Sequence, residues 1–312
     1  MKVIFFGTPS FAVPSLEAIN ECYDVVAVVT QPDKPVGRSK KPEFSPVKQY
    51  AVEHGIKVLQ FEKIRRDGVD ELKKLNADVM VSCAYGQIFS KEILDITPLG
   101  MYNIHGSILP KYRGAAPIQW SIINGEKYSG ITILKTDVGL DDGDMLITKE
   151  VEIKPYETSE ELFLRLSYVG AECIVKALEM LSSGDYILTP QNTQLATTCT
   201  MLSPELSKLD FSKSALEVCN MIHGINPWPV AKINIDGVNF KVFRAKVADS
   251  DYNGEVGTVV AASNKLGVVV KCGSGAIVLS EIQPENGKKM DSKNYLNGKK
   301  INIGAKVIWI KN

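Results

Sequence analysis

No run of apolar residues in this 312-residue chain approaches the ~20 that a helix needs to cross a bilayer, so no membrane association is expected. Histidine is scarce, with only His54, His105 and His223, far apart in sequence. The six cysteines, Cys22, Cys83, Cys173, Cys199, Cys219 and Cys272, include no Cys-x-x-Cys pair. Neither set has zinc-ligand spacing, so no metal site is expected, and unpaired scattered thiols fit a reducing cytoplasm. Gly-x-Gly-x-x-Gly and Gly-x-x-x-x-Gly-Lys-Ser/Thr are both missing. Gly7-Thr8-Pro9 is therefore read as a sharp strand-to-helix turn and not a nucleotide loop. The apolar stretch in Met1–Gly7 is too short for a signal peptide and reads as a buried first strand. There is no internal repeat and no low-complexity tract. Net charge is zero, yet residues 201–312 carry 15 Lys+Arg against 10 Asp+Glu, an excess balanced by acidic residues in 1–200. A basic half can meet phosphate while the acidic half does other work, although a solvated lysine-rich face gives the same imbalance.

What is present is an ordinary soluble composition, 45% hydrophobic and 23% charged, on a chain long enough for two domains. The first half alternates strand and helix signals. Val3–Phe6 is a continuous apolar run, Val25–Val29 reads as the next strand and Asp78–Cys83 as a strong buried one, and Pro9–Asn20 reads as a helix with Phe11, Leu16 and Ile19 inward. Strands of this kind, separated by helices, predict a mainly parallel, Rossmann-like sheet covered on both faces. Ile131–Thr136 and Met145–Ile153 are expected at an antiparallel edge. Thr158–Leu181 is the clearest helix, with Leu162, Leu166, Val169, Cys173, Ala177 and Leu181 on one face. After Ser182-Ser183-Gly184 the pattern lapses, then short strands with Gly-rich turns follow, including an Asp236-Gly237 hairpin signal. The fold class expected is α/β, with a smaller C-terminal OB-like β-barrel. Domain boundaries follow at 1–184, 185–206 (linker) and 207–312.

The chemistry-bearing residues sit where the strand signal at Met101–Ile104 stops. That run delivers an amide, Asn103, and an imidazole, His105, to a loop opened by Gly106 and Pro110. In α/β proteins ligands gather at the carboxyl ends of strands. A second turn, Asp137–Asp144, supplies carboxylates. Asn103 and His105 can donate to a developing oxyanion, and Asp141 can orient the imidazole or take a proton, so the three form an acyl-transfer set. The residues alone leave open which of His105 and Asp141 moves the proton.

Asn103-Ile104-His105-Gly106-Ser107-Ile108-Leu109-Pro110, with Leu140-Asp141-Asp142-Gly143-Asp144 further on, resembles the hallmark of the folate-dependent formyltransferases. Phe6–Ala12, Gln31–Arg38 and Asn226-Pro227-Trp228-Pro229 extend the resemblance over nearly the whole chain, towards members that act on an aminoacylated tRNA. The resemblance implies transfer of a formyl group from 10-formyltetrahydrofolate, as co-substrate, to the α-amine of methionyl initiator tRNA, in support of translation initiation. Asn103, His105 and Asp141 would be catalytic, and Ser107, Ile108, Leu109 and Pro110 would line the folate site. Arg38 matches the family's arginine that reaches the tRNA acceptor end, with Lys40 and Lys41 beside it. In the linker two lysines expected by the family are Met201 and Pro204 here, which leaves Lys208 and Lys213 to meet phosphate. Trp228 is expected to cap a core, with its flanking prolines fixing entry into the barrel. The expected assembly is a monomer. Two rivals are the same chemistry on a small amine, such as an amino-sugar nucleotide or glycinamide ribonucleotide, and a non-catalytic RNA-binding protein on a relict scaffold. The basic Pro32–Lys48 loop, with Lys34, Arg38, Lys40, Lys41 and Lys48, and the barrel disfavour the first, and the joint presence of Asn103, His105 and Asp141 disfavours the second.

Overall fold

The computed structural model describes residues 1–35 and 42–310, so Arg38, Lys40 and Lys41 lie outside the described residues. The chain forms two compact units, each assembled from three stretches. The first comprises Met1–Gly114, Ser129–Val151 and Phe163–Thr198. Its sheet runs in the order Met145–Glu152, Tyr128–Lys135, Met101–His105, Val79–Cys83, Lys2–Gly7, Asp24–Thr30, Val58–Gln60. Val3, Ile4, Phe5 and Phe6 are all fully buried, as a strand covered on both faces requires. Lys2–Gly7 pairs in parallel with Asp24–Thr30 on one side and Val79–Cys83 on the other. The chain thus leaves the first strand in one direction and returns on its other side, which makes a topological switch point there. Met101–His105 continues the parallel part, and Tyr128–Lys135 joins it antiparallel, as the sequence predicts. At Gly7 an added Cβ would lie 2.8 Å from Ala12 Cβ, so glycine permits the sharp turn into Ser10–Ala12 and the helix Val13–Cys22.

The helix Ser159–Ser183 carries the inward stripe read from sequence: Leu162, Leu166, Cys173, Ala177 and Leu181 are buried. Val169 is only half-buried, and its neighbour Gly170 takes the closest position. A Cβ on Gly170 would come within 3.1 Å of Ile104 Cγ2. The helix therefore packs directly behind the strand that carries His105.

The second unit comprises Ala115–Tyr128, Glu152–Leu162 and Cys199–Asn312. Its antiparallel sheet runs Val259–Ser263, Gly267–Lys271, Ala276–Pro284, Val238–Val247, Ala231–Ile235, Val307–Trp309. Val259 N–H donates to Ala305 O and Val307 N–H to Gly257 O, which joins the last strand to the first and closes a barrel. The interior is apolar, with Ile233, Phe240, Val242, Val268, Val270, Ile277 and Leu279 buried. Asp236 and Gly237 both have positive φ, 51° and 78°, and Ile235 pairs with Val238, so the predicted two-residue hairpin is present. The helix Ala215–Gly224 closes the barrel and packs on the helix Pro117–Ile123, where a Cβ on Gly224 would meet Ile123 Cγ1 at 2.4 Å.

Trp228 differs from the expectation. It is 55% exposed and caps no core. The inward positions of this turn are Asn226, whose amide donates to Phe243 O at 2.8 Å, and Val230, which is buried. Trp228 stands between them and faces solvent.

Candidate active site

Strand alternation places the first two groups. Asn103 and His105 are two residues apart on Met101–His105, so both leave one face while Ile104 turns to the other. Ser82 is the register partner of Asn103 on the adjacent strand, and its hydroxyl donates to Asn103 Oδ1 at 3.1 Å. With the oxygen so held, Asn103 Nδ2 faces Asp141 Oδ1 at 3.4 Å. An amide nitrogen has two hydrogens, so a second N–H remains for a ligand.

His105 is buried, and its Nε2 lies 2.9 Å from Tyr112 O. A carbonyl only accepts, so Nε2 carries the hydrogen and Nδ1 of the neutral ring carries a lone pair. That lone pair faces Asp141 Oδ2 at 3.6 Å, beyond hydrogen-bond length. With the ring neutral, the two can share one further proton. Asp141 stands in the left-handed region, φ 47°, and its Oδ2 accepts the Gly114 N–H at 2.8 Å. The turn that presents it is tight, since a Cβ on Gly143 would lie 1.8 Å from Lys135 O. Gln191 Nε2 donates at 2.8 Å to Asp141 O and at 2.8 Å to Gly143 O. Arg113 in turn donates to Gln191 Oε1 through Nε and Nη2, at 3.1 and 2.8 Å.

The sequence-predicted trio thus comes together. Ser82 and Gln191 were not among the predicted residues. Ser82 had a signal, a hydroxyl inside the apolar strand Val79–Cys83; Gln191 lies in the stretch read as linker and had none. The adjacent Cys83 is no nucleophile, because burial pushes its thiol far above the ordinary range.

The Ser107–Pro110 loop divides in two. Ser107 is buried with its hydroxyl on Lys111 O at 2.7 Å, and Thr132 Oγ1 bridges Ser107 O and Leu109 N. Leu109 is buried too, whereas Ile108 and Pro110 stay half-exposed. Lys48 is tied down by an ion pair with Asp33 and donates to Gln60 Oε1 at 3.0 Å. The hydrogen bond that Lys48 donates to Asp33 Oδ2 holds the Asp33 carboxyl below its ordinary range. Lys208 is exposed, with Nζ 5.9 Å from the Trp309 ring centre. A groove of about 630 Å³ between Val13–Cys22 and Ser159–Ser183 holds Glu17, Glu21, Glu172 and Glu179 and none of the trio; its carboxylates repel phosphate. Among the described residues no three His, Cys, Asp or Glu are placed to hold a metal ion, and no helix is long and apolar enough to cross a membrane.

A Rossmann-like sheet that presents Asn, His and Asp together beside its parallel strands defines a class of acyl-transfer enzymes. The formyl transferase family matches residues 1–178, and the formyl transferase C-terminal domain matches 201–300; the chain belongs to the formyl transferase family. Relatives named methionyl-tRNA formyltransferase include one from Ruminiclostridium cellulolyticum, 46% identical over 98% of this chain and 99% of its own length. Another, from Agathobacter rectalis, is 45% identical over 98% of this chain and 99% of its own. Among solved structures, the sugar 3N-formyl transferase WlaRD, in the presence of dTDP and 5-N-formyl-THF, is similar with a TM-score of 0.69 and 21% identity, over 92% of this chain and 99% of that one. HypX from Aquifex aeolicus, in complex with tetrahydrofolic acid, gives 0.62 and 18%, over 95% of this chain and 47% of that one. At such identities the likeness is one of fold.

Proposed function

We propose that this chain transfers the formyl group of 10-formyltetrahydrofolate to the α-amine of methionyl initiator tRNA, in the cytoplasm and as a monomer, and so supports translation initiation. The observation that carries the reading is the single cluster of Asn103, His105 and Asp141, with one free amide N–H beside a proton receptor. Relatives named for this reaction, similar over nearly the whole chain, support the acceptor. In this reading residues 1–184 carry the chemistry, 185–206 link, and the barrel of 207–312 grips tRNA. Arg38, Lys40, Lys41 and Lys208 contact phosphate.

The donor, when bound, supplies an electrophilic formyl carbon on a nitrogen that leaves once protonated. The residues present suit such a ligand: Ile108 and Pro110 offer apolar contact, while Ser107 and Leu109 hold the loop from within. As the acceptor nitrogen bonds to the formyl carbon, charge gathers on the formyl oxygen, and the second N–H of Asn103 donates to it. Asp141 and His105 take the proton that the nitrogen sheds, through Oδ1 or through the Oδ2–Nδ1 pair. They return it to the leaving nitrogen, so the pair ends as it began.

The test is formyl transfer by the purified chain to charged initiator methionyl-tRNA, beside elongator methionyl-tRNA and free amines. Initiator-selective product that is lost in Asp141→Asn is expected. Formylation of small amines regardless of tRNA would overturn the acceptor.

A further inference from the structure

Asp141 adopts a left-handed conformation, which Asp tolerates better than most residues with a Cβ, and hydrogen bonds to its carboxylate and its backbone fix it there. We propose that Gln191 is the positioning residue of the Asp141 carboxylate, an inference that rests on the reading of Asp141 as proton acceptor. The orientation of the Gln191 amide is not free. Two guanidinium N–H groups of Arg113 converge on its Oε1 and turn its nitrogen towards the Asp141 turn. The two hydrogens on that nitrogen meet Asp141 O and Gly143 O, one on each side of Asp142. Gln191 is itself only 9% exposed, so water does not compete easily for these bonds. Arg113 is followed by Gly114, whose N–H holds Asp141 Oδ2. One dipeptide thereby fixes the acid twice, at the carboxylate directly and at the backbone through Gln191. The distance so maintained is the 3.6 Å between Asp141 Oδ2 and His105 Nδ1.

Two variants separate this role from mere packing. Gln191→Met removes donor and acceptor; Gln191→Glu keeps an oxygen for Arg113 and nearly the same shape, but turns the two donors into an acceptor that carries negative charge against the Asp141 and Gly143 carbonyls. Both should lower kcat for formyl transfer ~10–100-fold, as expected for a misplaced catalytic group, with KM for donor and tRNA within ~3-fold. In an Asp141→Asn background the same changes should cost less than ~2-fold, because they act through that carboxylate. A readout independent of turnover uses the three histidines, few enough to resolve by ¹⁵N NMR. Gln191→Glu should move the His105 Nδ1 signal as Asp141→Asn does and leave His54 and His223 in place. If the wild-type chain formylates no tRNA while this NMR coupling is present, the proposed function falls and the positioning role stands. Full kcat in Gln191→Glu with only a lower melting temperature, or losses that multiply in the double variant, would overturn the positioning role.

Discussion

Asn103 meets Ser82 at its oxygen and Asp141 at one hydrogen, which leaves a single N–H for the oxyanion. Asn103→Ala should therefore lower kcat ~10²–10³-fold, while affinity for the folate donor, measured by equilibrium titration, stays unchanged. Undiminished kcat would remove Asn103 from the chemistry. Asn103 and His105 were legible because a strand signal ends beside them and because their run resembles the formyltransferase hallmark; alternation explains why they share a face. Asp141 was legible because Leu140–Asp144 completes the same resemblance. Gln191 was not, since its partners lie 48, 50 and 78 residues away and no local period encodes them. Trp228 departs from the tendency of tryptophan to be buried, because the polar Asn226 takes the inward place on a backbone carbonyl.

The turn Asp137–Asp144 is the element on which the site depends most. Gly143→Ala would drive a Cβ to 1.8 Å from Lys135 O, and backbone must move to relieve it. The expected result is a loss of kcat of at least ~10²-fold with a lowered melting temperature; wild-type kcat in a folded Gly143→Ala protein would show that the turn tolerates displacement. A second element test concerns Ala215–Gly224. Its N-cap Ser214 accepts the Glu217 N–H, and Glu217 Oε2 takes the Ser214 N–H at 3.0 Å, a reciprocal capping box. Ser214→Ala should cost about 1 kcal/mol in urea unfolding, and an unchanged midpoint would mean that water caps the helix as well. Long helices and apolar strands were readable because each buries a periodic face. The stretch 185–206 was not, because its order comes from remote bonds such as the mutual pair between Met145 and Thr189.

At the scale of the whole molecule, pH and salt report on different properties. His223 is buried, its Nε2 accepts the Ala245 N–H, and burial, with Arg244 nearby, lowers its pKa from 6.5 to about 4. Between those values the unfolded chain binds the extra proton and the folded chain does not. Stability is therefore fully present above about pH 6.5 and falls by up to about 3 kcal/mol as pH drops towards 4. A urea midpoint for the second unit that stays level from pH 7 to 5 would contradict this. Salt instead probes the acceptor. Residues 201–312 hold the basic excess and 1–200 the acidic one, so a polyanion is drawn to one part of the chain and repelled by much of the other. Each phosphate met by Lys or Arg steepens the fall of log affinity with log salt by roughly 0.7–0.9. The KM for methionyl initiator tRNA should climb steeply between low and physiological salt while the KM for the folate donor stays nearly level. Arg38→Ala and Lys208→Ala should each weaken tRNA binding and lessen that slope by about 1. Lys208 is the more telling of the two, because it stands over Trp309, within the barrel-bearing unit. A full salt slope in Lys208→Ala would leave Arg38 as the remaining phosphate contact under test and deny this lysine one.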